Sequence, residues 1–160
     1  FAFFKHFQSQ GKNSLINVVS GIDFSLRDEN IHSEAGAWLF RTLLSESKLS
    51  DDELDQLKLK LLEAAVTIYK HEREIIAMMF EKGTITGITE HQLKEFMKSR
   101  LNVVTNQLGL DKVFDVTYNP IKDWFYENIN AVKLHDFFAK TGNEYHRNWN
   151  EKRFIWESNE

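Results

Sequence analysis

The chemistry-bearing part of the chain is the run Arg27-Asp28-Glu29-Asn30-Ile31-His32. Glu29 and His32 stand three residues apart, which on a helix puts both side chains on one face, a turn apart. A carboxylate and an imidazole so placed are a ligand pair for a transition metal, and that mix of donors suits iron or manganese. A ligating histidine usually gives its second ring N–H to a carboxylate or a carbonyl. Asp28 adjoins Glu29 and is a candidate for such a supporting role. The competing reading is a plain ion pair on a solvated helix face. Against it stands the location, because the charged run interrupts an otherwise apolar segment, and buried charges are costly unless paired or metal-bound.

Ferritin-like bundles hold two metals with two Glu-x-x-His motifs and two further glutamates, each from its own helix. The chain has six histidines, and only His32 follows a glutamate by three residues. The corresponding positions before His6, His71, His91, His135 and His146 are Phe3, Ile68, Ile88, Val132 and Asn143. The sequence therefore carries at most half of a dinuclear site, and the other half is expected upstream. The first residue is Phe1, which opens the apolar run Phe1-Ala2-Phe3-Phe4. The chain reads as a piece of something longer.

The elements that must position Glu29 and His32 follow from composition and spacing. One proline and seven glycines in 160 residues argue against a turn-rich β fold and favour long helices. A hydrophobic share of 42% is enough for a core. Cysteine is absent, which excludes disulfides, thiolate zinc sites and a cysteine nucleophile. A net charge of −4 gives no sign of a nucleic-acid or membrane-surface protein. No apolar run is long enough for a transmembrane helix, and the opening run does not have the make-up of a signal peptide. The cytoplasm is the expected location, the host cytoplasm for a phage-encoded protein.

Residues 1–8 read as the end of a helix. Residues 14–46 form a second, with Leu15, Val18, Val19, Ile22, Leu26, Leu39 and Leu43 mostly in steps of three and four. Gly21 and Gly36 lie inside it, where each costs about 1 kcal/mol of helix stability and predicts close packing. Ser50 and Glu53 form a capping box at the start of a third helix, which runs to about Lys82 and stops at Gly83. Thr89 and Gln92 form another box, opening a fourth helix that stops at Gly109. Two helices of roughly 33 residues, each about 50 Å long, are expected as antiparallel neighbours. Asn119-Pro120 marks a turn before a short helix around Trp124-Phe125-Tyr126. The fold class is all-α, a partial ferritin-like bundle of about four helices over residues 1–131. Residues 132–160 form an irregular aromatic tail. His71-Glu72-Arg73-Glu74 reads as a solvated stretch, and Tyr69, Tyr118 and Tyr126 as packing residues.

At the Arg27-Asp28-Glu29-x-x-His32 run the sequence resembles the small, radical-generating subunit of class I ribonucleotide reductase. The resemblance implies that Glu29 and His32 bind one metal and that Asp28 belongs to the hydrogen-bonded radical route. Phe1-Ala2-Phe3 resembles the end of the preceding family helix. Near the other end, Lys133-Leu134-His135-Asp136-Phe137-Phe138 with Glu144-Tyr145 resembles the segment before the family's flexible tail, and Asn119-Pro120-Ile121 and Trp124 fit too. Tyr145 then stands where the tail tyrosine relays the radical. The resemblance covers roughly the C-terminal half of a family member. It implies a dinuclear iron, manganese or iron-manganese cofactor in the complete protein. The implied partners are the large subunit, which reduces ribonucleotides to deoxyribonucleotides, and a second small subunit. A piece with one Glu-x-x-His is expected to be inactive alone. Another ferritin-like di-metal oxidase and a non-catalytic helical interaction domain are the alternatives.

Overall fold

The computed structural model describes residues 1–9 and 15–130. They form five helices: α1 Ala2–Ser9, α2 Ile16–Glu46, α3 Asp51–Phe80, α4 Glu90–Gln107 and α5 Pro120–Asn130. The all-α, ferritin-like expectation holds. The expected tail, residues 132–160, lies outside the described residues.

Local chemistry sets the boundaries. The Ser50 side chain accepts from the Glu53 backbone N–H while the Glu53 carboxylate accepts from Ser50 N–H at 2.9 Å. Thr89 and Gln92 repeat the arrangement at α4. Gly83 and Gly109 end α3 and α4 at φ 132° and 81°, values that disfavour any side chain. Beyond Gly109 the Leu110 N–H reaches back to the Thr105 carbonyl at 2.9 Å, closing a Schellman-type end.

The two longest helices are not principal neighbours, contrary to the expectation. α4 is the hub, packed against α3, α5 and α2, and α1 rests on α2 and α5. The turn over residues 81–89 folds α4 back along α3, so α4 rather than α2 receives the apolar side of α3. The core gathers Ala2, Ile76, Ile88, Leu93, Phe96, Ile121 and Phe125. Phe96 and Phe125 meet edge to face at 4.9 Å, fixing α5 on α4.

Polar side chains hold the connection between α4 and α5. Asn102 accepts from the backbone N–H of Val113 and of Phe114, both at 3.0 Å, and donates to the Phe114 carbonyl at 2.8 Å. Glu95 accepts from the N–H and hydroxyl of Thr117 at 2.9 and 3.1 Å. Tyr69 packs on Phe114, and Tyr126 accepts from Arg100 at 2.6 Å. Tyr118 departs from its expected packing role. It is 83% exposed because its hydroxyl turns outward to Asp123, and that hydrogen bond raises its pKa.

Candidate metal centre

α2 positions the ligand pair. Its inner side carries Val19, Asp23, Ser33 and Ala37, facing α1 and α4. Val19 is fully buried, Ser33 donates to the Gln107 side chain at 3.4 Å, and Arg41 donates to the Gln107 carbonyl. With that side held, Glu29 and His32 are turned away from the core. The His32 Nδ1 lies 3.7 Å from the Glu29 carboxylate, and the two side chains are 72% and 60% exposed. That separation exceeds a hydrogen bond, and the pair is a loose ion pair on an exposed face when His32 is protonated. Asp28 is half-buried beside them.

The spacing argument is therefore met, since the helix brings Glu29 and His32 together. The expectation that the charged run lies in a buried setting is not met. The reason is physical: among the described residues no other helix covers the Glu29 and His32 face of α2. Among the described residues, no three His, Cys, Asp or Glu side chains converge to hold a metal. A carboxylate oxygen and an imidazole nitrogen fit two ligand positions of an iron or manganese ion, and the remaining positions need donors from elsewhere. Tyr145 lies outside the described residues.

Sequence reasoning missed the ion pair between Lys5 of α1 and Asp23 of α2, whose side chains are 2% and 10% exposed. It ties α1 to the ligand-bearing helix. The available signal was Asp23 itself, an acid on the stripe that otherwise carries Val19, Leu26 and Ala37. Next to Lys5, the His6 ring bonds the Thr86 carbonyl at 2.9 Å, tying α1 to the turn before α4. Glu95 was missed as well. Its bond with Lys98 at 2.6 Å holds its carboxyl below the usual carboxylate range, against the opposing effect of burial, and Thr117 adds to the lowering.

Among the described residues no helix is long and apolar enough to cross a membrane. The family model described as ribonucleotide reductase, small chain, matches residues 1–120. The chain is also similar to the probable ribonucleoside-diphosphate reductase small subunit 048L of Invertebrate iridescent virus 3, at 27% identity over 124 residues. That match spans 78% of this chain and 32% of the viral protein, so the chain covers about a third of the relative's length. No solved structure matches. The family match takes in α1, the whole of α2 with its Glu29-x-x-His32 motif, and both capping boxes, and the chain belongs to the ribonucleotide reductase small chain family.

Proposed function

We propose that this chain is the C-terminal part of a ribonucleoside-diphosphate reductase small subunit, in which Glu29 and His32 hold one metal of a dinuclear centre. The observation that carries this reading is the Glu29–His32 pair, 3.7 Å apart on one face of α2 within the family match. The metal pair, iron or manganese, supplies one-electron oxidising power when bound. The residues of this chain bind and insulate. Glu29 contributes a negative oxygen donor and His32 a neutral nitrogen donor. Asp28 accepts a hydrogen bond that orients a ligating imidazole. The buried Lys5–Asp23 pair fixes α2 against α1 and so holds the ligands in register. Tyr145 relays the oxidising equivalent to the large subunit, where ribonucleotides are reduced to deoxyribonucleotides. The complete small subunit pairs with a second copy of itself and works in the cytoplasm.

Metal content tests the ligand roles. In a fusion where this chain replaces the matched stretch of the iridescent virus protein, iron or manganese is expected to bind. Glu29→Gln and His32→Ala should each remove at least half of it while the helical circular dichroism stays the same. Unchanged metal content in both folded variants contradicts the reading.

A further inference from the structure

Where the chain after α4 folds back over that helix, it leaves an open cleft of about 540 Å³. α4 lines one side with Ser99, Asn106 and Gln107, and the connection and the first turn of α5 line the other with Lys112, Tyr118 and Lys122. None of the lining residues belongs to α2, so the cleft is separate from the Glu29–His32 pair. Several polar groups of the lining are spent on holding this shape. Asn102 is bonded to Val113 and Phe114, Thr117 to Glu95, and Asn119 to the Gln92 carbonyl and the Ile121 N–H. A cleft held in this way exists before any ligand enters, and its volume falls within the range of small-molecule sites.

The other polar groups of the lining are unspent. Among the described residues the Ser99 hydroxyl, the Asn106 amide and the Lys112 and Lys122 ammonium groups have no hydrogen-bond or ion-pair partner. Gln107 accepts from Ser33 through its side-chain oxygen and keeps its amide hydrogens. The carboxylate in the lining, Asp123, accepts from the Tyr118 hydroxyl at 3.0 Å. Two ammonium groups thus stand against one carboxylate, and the unspent groups are mostly donors. Such a lining favours an anion. A single small anion fills only a fraction of the space, whereas a phosphate ester offers charged oxygens to the lysines and a further body to the rest of the cleft. Lysine binds phosphate as a point charge. Tyr118, 83% exposed at the rim, adds a flat apolar face.

We propose that the cleft between α4 and residues 112–123 binds a small phosphate ester, with Lys112 and Lys122 holding the phosphate and Ser99, Asn106 and Gln107 donating to the oxygens of the ligand. Hydrogen bonds from a charged donor are roughly twice as strong as neutral ones, so the lysines carry the affinity and the amides the orientation. Lys112 stands in the connection and Lys122 in α5, so the bound ester ties both of these parts to α4. Binding to the folded chain alone then raises its stability by mass action.

Titration calorimetry of the fusion described above, with glycerol 3-phosphate, phenyl phosphate and inorganic phosphate as probes, tests it. Both esters are expected to bind, more tightly than inorganic phosphate, with an affinity that falls as salt screens the lysines. Lys112→Met and Lys122→Met should each weaken ester binding by roughly 10-fold, the scale of one hydrogen bond to a charged group. Asn106→Leu narrows the cleft without changing its charge, and should weaken both esters while the helical circular dichroism stays the same. Lys60, an exposed lysine of α3 outside the cleft, is the control, and Lys60→Met should leave binding unchanged. Absence of ester binding at millimolar concentration overturns the proposal. So does ester binding that both cleft lysine variants leave intact, an equal loss in Lys60→Met, or inorganic phosphate bound as tightly as either ester. The metal content of the fusion is read separately, so the outcome here leaves the roles of Glu29 and His32 untouched.

Discussion

The Glu95 carboxylate, 5% exposed on α4, receives both the backbone N–H and the hydroxyl of Thr117. One side chain thereby fixes the chain between α4 and α5 from a position twenty-two residues away. Replacing it with glutamine keeps the size and removes the charge that Lys98 and Thr117 address. Glu95→Gln should lower unfolding free energy by about 1.5–3 kcal/mol, the range for hydrogen bonds to a charged group. Urea denaturation checks the value. A loss confined to a few tenths of a kcal/mol would show that the carboxylate does not hold the loop.

The same carboxylate predicts an acid sensitivity. Its pKa is lowered in the folded chain, chiefly by Lys98, so the folded state binds its proton less readily than the unfolded state. The stability it contributes is fully present above the unfolded carboxylate pKa of about 4.3 and is lost as pH falls through the lower folded value. Between neutrality and pH 3, wild-type stability should drop more steeply than that of Glu95→Gln. Parallel slopes in the two proteins would contradict this.

Lys5 and Asp23 form a buried pair, and breaking such a pair leaves an uncompensated charge in the interior. Lys5→Met alone should cost about 3–5 kcal/mol. Adding Asp23→Leu should recover much of that loss, because both charges are then gone. A double-mutant cycle by chemical denaturation measures the coupling. If the double variant is as unstable as the sum of the singles, the pair does not act as a unit.

Tyr145 carries a separate expectation from the proposed relay. In the fusion with the iridescent virus protein, extended to include residues 132–160, Tyr145→Phe should keep metal content and binding to the large subunit while removing most nucleotide reduction. Phenylalanine preserves the ring and deletes the oxidisable hydroxyl. Retained turnover would assign Tyr145 to docking alone.

Much of the fold was legible because its signals are local. Ser50 with Glu53 and Thr89 with Gln92 fix the starts of α3 and α4, and Gly83 and Gly109 fix their ends. The Glu29–His32 juxtaposition is also local, set by helical geometry alone. The pairing of α3 with α4 instead of α2 depends on how the turn over residues 81–89 directs the chain, which periodicity does not encode. The Lys5–Asp23 pair joins residues eighteen apart on two helices, and no spacing rule marks it. Gly36 predicts close packing, yet a Cβ placed there meets nothing within 4 Å among the described residues.

The central claim is that Glu29 and His32 coordinate metal, and anomalous X-ray diffraction from crystals of the metal-loaded fusion tests it most directly. Data collected at the absorption edge of the bound iron or manganese should show a peak within roughly 2.0–2.2 Å of both a Glu29 carboxylate oxygen and a His32 ring nitrogen, taking zinc's bond lengths to these donors as a guide. An occupied metal centre elsewhere in the fusion, with no peak beside these two side chains, would contradict the account.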